Sequence, residues 1–70
     1  MTEREIKRAL RNESLFQEAL WELRGLGRLW HARDLRILCT AESTLDAYQA
    51  VSVRNQQALQ RQLAEVRRGL

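Results

Sequence analysis

Residues 23–30 read LRGLGRLW, with two glycines in three residues of an otherwise helix-forming stretch. Either the chain turns here between two helices, or one long helix carries a flat spot where a neighbour comes close. A turn at Gly25 would form a Schellman cap, with Leu26 packing back on Trp21, and would throw the apolar residues out of phase. The phase is kept. At about 100° per residue, Phe16, Ala19, Leu20, Leu23, Gly27, Trp30, Ile37, Leu38 and Ala41 fall within roughly 60° of one line. The spacing therefore predicts one helix over 15–39. Gly27 would lie on its buried stripe, open to close approach, beside bulky Trp30; Gly25 would lie off it.

The flanks support helix on both sides. The chain has no proline, and Ala, Leu, Arg, Gln and Glu dominate it. Upstream, Thr2 and Glu5 make a capping box, and Ile6, Ala9 and Leu10 give a first short helix its apolar face. Ser14 with Gln17 forms a second capping box, which predicts a bend or break near 12–14. Downstream, Thr40-Ala41-Glu42-Ser43-Thr44 gathers capping residues, and Ser43 suits a second helix start. Leu45, Tyr48, Ser52, Asn55, Leu59, Leu63, Val66 and Leu70 then recur at steps of three or four. Arg67 and Arg68 suit the dipole of its end.

The expected architecture is one all-α domain over 1–70, an antiparallel helical hairpin of 15–39 and 43–69 with a short N-terminal helix. Folding about residue 41 makes facing residue numbers sum to roughly 82. Leu23 would face Leu59, Phe16 would face Val66, Ala19 would face Leu63, and Ile37 would face Leu45. Trp30 would meet small Ser52, Gly27 would meet Asn55, and the Asp34 carboxylate would find a donor in Tyr48.

Two helices cannot cover every apolar residue of this chain. Leu15, Trp21, Leu26, Leu29, Leu35, Val51 and Val53 fall outside or at the margin of that seam. The first helix folding back would cover some of them, and a two-fold dimer forming a four-helix bundle would cover more. Seventy residues make a small core, which needs staples or a partner. Cys39 is alone, so no disulfide is available, and one Cys with one His makes a poor zinc set. Association is the remaining remedy.

Catalysis has little to stand on. His31 projects beside Cys39 and not with it, and no nucleophile–base set has a usable spacing. Glu18 with Glu22, and Glu42 with Asp46, are acid pairs without His partners and suit solvated faces. GLG lacks the Lys-Ser/Thr and the strand context of a phosphate loop. No catalytic, cofactor or metal residue is therefore expected, and no small-molecule ligand.

Charge is modest, with 12 basic and 9 acidic residues for a net +3. Arg4, Lys7, Arg8 and Arg11 share one face of the first helix and would suit phosphates, although Glu3 and Glu5 lie close enough to neutralise part of it. A helix-turn-helix laid over the glycines fails, because the position six residues on becomes His31 or Arg33. The lone thiol and charged N-terminus, with no apolar run long enough to span a bilayer, suggest a cytoplasmic protein. The expected function is a non-enzymatic protein-interaction module: an adaptor, chaperone-like carrier, inhibitor or regulator. Trp21, Arg28, Leu29 and Leu35 are its candidate contacts. Nucleic-acid binding by a hairpin dimer through Arg4, Lys7, Arg8 and Arg11 is the alternative.

Overall fold

Thr2 opens the first helix as its spacing to Glu5 predicts: its hydroxyl accepts from the Glu5 amide at 3.3 Å and donates to the Glu5 carboxylate at 3.1 Å. In the computed structural model, which describes residues 1–69, this helix (α1) runs unbroken over Glu3–Trp30. The second helix (α2) spans Leu35–Arg68 and packs antiparallel on the first. The chain is thus an all-α hairpin. Leu70, the last position of the expected downstream stripe, lies outside the described residues.

The helix boundaries differ from the expected ones. No break occurs at 12–14, and there is no separate N-terminal helix. Glu13 instead sits half-buried between the helices, bonded to Ser52 and Asn55 of α2, so its segment is held in the hairpin. The glycines do not turn the chain either. Both lie inside α1 and neither has a positive φ.

The turn falls at His31-Ala32-Arg33-Asp34. His31 closes α1, its amide donating to the Gly27 carbonyl at 2.9 Å, and the Asp34 amide donates back to the His31 carbonyl at 3.0 Å. Asp34 then caps α2, accepting from the Ile37 amide at 3.2 Å. Asp34 is therefore a cap and not the buried partner of Tyr48. The expected cap cluster lies inside α2, where the Thr40 and Thr44 hydroxyls bond back to the Arg36 and Thr40 carbonyls at 3.0 Å. Such back-bonding satisfies a helical threonine without ending the helix.

A turn at 31–34 moves the partner helix by about a dozen residues. Glu3 with Arg67, Arg24 with Asp46, and Arg28 with Glu42 are cross-helix pairs whose numbers each add to 70. The pairings expected from a fold at residue 41 are not formed. The physical reason is length: a turn at 41 would leave about the first 11 residues without a facing residue, whereas this one pairs helices of 28 and 34 residues almost end to end.

Burial recurs mainly at steps of three and four. On α1 the covered positions include Glu3, Ile6, Leu10, Glu13, Gln17, Leu20, Arg24 and Gly27; on α2 they include Leu38, Glu42, Leu45, Ser52, Gln56, Leu59, Leu63 and Val66. This is the heptad seam of a two-stranded antiparallel coiled coil. Its apolar end is the open end, where Ile6 is 1% exposed. Among the described residues Ile6 and Leu20 are the buried apolar side chains, each worth about 1.5–3 kcal/mol. The molecule is a thin rod of 55 × 14 × 12 Å with a radius of gyration of 16.1 Å. A compact chain of this length would have about 11 Å.

Candidate functional site

The middle of the seam is polar. Ser52, 1% exposed, donates to Glu13 and accepts from the Gln17 amide at 3.2 Å. Gln17 also donates to the Gln56 carbonyl oxygen at 2.9 Å, and Asn55 donates to Glu13 at 3.4 Å. Five side chains from two helices thus satisfy one another, as buried polar groups must. Ser52 and Asn55 bond to Glu13 and Gln17 rather than meeting Trp30 and Gly27. Glu13, Gln17 and Gln56 were missed, although their three-and-four spacing from Ile6 and Leu59 would have found them.

One step round from the seam, a second heptad row runs along each helix. On α1 it is Ala9, Asn12, Phe16, Ala19, Leu23, Leu26 and Trp30; on α2 it is Ile37, Ala41, Thr44, Tyr48, Val51, Asn55 and Ala58. The two rows lie on the same broad side of the hairpin. Asn12, Glu13 and Phe16 of α1 line one shallow groove with Tyr48, Val51, Ser52 and Asn55 of α2, of about 410 Å³. None of these fourteen positions is charged, in a chain that is 30% charged. The seam, by contrast, contains Glu3, Glu13, Arg24 and Glu42. The outward face is more apolar than the surface that joins the helices.

This arrangement corrects the expected core. Trp30 is 79% exposed, and Phe16, Leu23, Ile37 and Tyr48 are exposed with it. The stripe read from the sequence was real, but Leu20, Gly27 and Leu38 belong to the seam while Phe16, Leu23, Trp30 and Ile37 belong to the outer face. Gly27 does sit half-buried in the seam, yet a Cβ added there would meet nothing within 4 Å, so no neighbour approaches its backbone.

The opposite flank is charged. Arg28 meets Glu42 at 2.8 Å, Arg67 meets Glu3 at 3.1 Å, and Arg24 pairs with Asp46. Hydrogen bonding from Arg67, with help from Lys7, holds the Glu3 carboxyl below the usual carboxylate range. Trp21 lies nine residues before Trp30, roughly half a turn round the helix, and so belongs to this flank. It is 73% exposed. Arg28 follows two turns along, with exposed Leu29 beside it; exposed Leu35 opens α2 beyond the turn. Arg28 is already engaged by Glu42.

Arg4, Lys7, Arg8 and Arg11 do come together. With Glu5 they line an open groove of about 620 Å³ near the free end of α1. Lys7 is 3.5 Å from Glu3, while Arg4, Arg8 and Arg11 have no ion pair among the described residues.

Among the described residues no three His, Cys, Asp or Glu side chains gather as a metal-binding group, and no helix is long and apolar enough to cross a membrane. Cys39 is exposed on α2 and His31 is half-buried in the turn. No family model, curated protein or solved structure matches this chain.

Proposed function

We infer that the chain is a non-enzymatic protein-association module, a cytoplasmic helical hairpin that acts as an adaptor, carrier, inhibitor or regulator by laying a helix face on another polypeptide. One observation carries this reading: the charge-free outer face formed by Phe16, Leu23, Leu26 and Trp30 with Ile37, Tyr48 and Val51. Loss of charge at the centre of a patch, with aromatic side chains in it, is the composition of an interface core. Contiguous exposed apolar surface of this kind marks an association site. Trp21 with Arg28 and Leu29 supplies a second anchor on the opposite flank, of the residue types that dominate binding energy. The partners are a second copy of the chain and a protein target.

The groove of Arg4, Lys7, Arg8 and Arg11 favours nucleic acid as a second reading, since three of its four cations are free to neutralise phosphates. Native mass spectrometry of the protein taken from its own host, with and without nuclease, separates the two. A stoichiometric protein partner that survives nuclease, and is weakened by Trp21→Ala, supports the first. Mass that nuclease removes, together with binding lost and its salt dependence flattened when Arg4, Lys7, Arg8 and Arg11 become Gln, would overturn it.

A further inference from the structure

The surface is too large for the chain. It exposes 5924 Å², whereas a compact folded protein of 8.2 kDa exposes about 4,500 Å². The excess is of the order of what one partner contributes to a stable interface, about 800 Å² or more. The apolar outer rows occupy the half of the rod nearest the turn, from Phe16 to Trp30 on one helix and from Ile37 to Val51 on the other. Fourteen residue steps of helix cover about 21 Å, and two such rows side by side make a flat, two-helix-wide face.

We propose that a second copy of this chain covers that face, so that two hairpins stack face to face about a two-fold axis as a four-helix bundle. This rests on the protein-association reading and names its first partner. A two-fold interface must be complementary to itself. This face is suited to that because each row sets space beside bulk: Ala19 lies between Phe16 and Leu23, and Ala41 and Thr44 lie between Ile37 and Tyr48. Its two rows carry no charge, and the one carboxylate lining its groove, Glu13, is already bonded to Ser52 and Asn55, so a copy meets little like charge there. The other candidates for covering the face are weaker. The described chain has no third element to fold back on it, because residues 3–14 are part of α1 and already paired with α2. The charged flank, tied internally by three ion pairs, has less to gain from burial. Covering the outer face leaves Trp21 and the basic groove exposed for a further partner.

The two tryptophans, on opposite sides of α1, report the two faces separately. The purified chain should sediment at twice its 8.2 kDa mass and fall toward the monomer only on dilution. In Trp21→Phe, the remaining Trp30 emission should shift to the blue and lose its iodide quenching as concentration rises. In Trp30→Phe, the remaining Trp21 emission should stay red and quenched throughout. Leu23→Glu, at an exposed position outside the seam, should hold the chain as a helical monomer, and Trp21→Glu should leave the dimer intact. A helical wild-type monomer at every concentration, or a concentration-dependent shift at Trp21 and none at Trp30, overturns the dimer. A monomeric wild type whose protein partner is lost on Leu23→Glu would overturn the dimer alone and leave the association reading standing.

Discussion

The side-chain amide of Gln17 donates to the hydroxyl of Ser52 at 3.2 Å, joining the middles of two helices 35 residues apart in the chain. The bond matters because of where it sits. Each helix could slide along the other by a heptad and still bury leucines, but only one alignment brings Gln17 and Glu13 onto the buried Ser52 and Gln17 onto Gln56. A polar layer of this sort fixes register at some expense of stability. Ser52→Ala should therefore lower stability by about 1–3 kcal/mol, because Gln17 and Glu13 lose a partner in the seam. Urea denaturation at fixed protein concentration measures this, and a neutral result would show that the layer is not needed.

The turn depends on one side chain. Asp34→Ala removes the cap of α2 and should cost about 1 kcal/mol. Tyr48→Phe should leave hairpin stability unchanged, since Asp34 does not bond to it. Equal losses in the two variants, followed by thermal denaturation, would restore the Asp34–Tyr48 contact expected from the sequence.

Both glycines of α1 are helical and face open space where a Cβ would stand. Gly25→Ala and Gly27→Ala should each stabilise the protein by about 0.5–1 kcal/mol. The sequence pattern instead predicted close approach at Gly27. A fall in thermal midpoint for Gly27→Ala alone would bring that approach back.

Glu3 ties the open end of the rod, with Arg67 and Lys7 holding its carboxyl below the ordinary value of 4.5. As pH falls, the unfolded chain takes up a proton at this group before the folded one does. The stabilisation is thus complete above 4.5 and is lost as pH drops through the lower folded value. Glu3→Gln should have a lower thermal midpoint than the wild type at pH 7, and the two should converge in acid. Parallel curves from pH 7 down to pH 3 would mean that the Glu3 pairs contribute nothing.

Much of the hairpin was legible in the sequence, and the part that was not has a specific cause. The Thr2–Glu5 cap, the passage of the helix through Gly25 and Gly27, and the pairing of two long helices all follow from propensity and period. The turn does not, because the heptad runs straight through it. Gly27, His31 and Leu38 keep the seam spacing on both sides of residues 31–34, so continuity of phase gave no sign of a break. The turn also has no glycine or proline, and its cap is a lone Asp34 without an acidic residue three positions on. The Thr40–Thr44 cluster looked more like a helix start, yet its hydroxyls satisfy themselves against the preceding turn. The most apolar stripe was taken for the seam. Apolarity shows that a face needs covering, and the choice between Leu59 and another molecule as the cover lies outside any one helix. Of the candidate contacts, the exposure of Trp21 and Leu29 followed from their angle to the stripe, while the ion pairs of Arg24 and Arg28 required knowing the turn.

The helices are held together at the end of the rod farthest from the turn, where Ile6 is buried and Glu3 meets Arg67, and this bears on how the molecule comes together. A clasp that closes at its tips has little use for a stiff hinge. Going from the 14-residue separation of Arg28 and Glu42 to the 64-residue separation of Glu3 and Arg67 adds only about 1.3 kcal/mol of closure entropy. Preformed helices, docking at the open end where Ile6 is buried, can recover that from a single buried side chain. The four residues 31–34 therefore serve as a tether more than a mould, and a longer loop in their place would slow assembly little while keeping the same two helices in the same register.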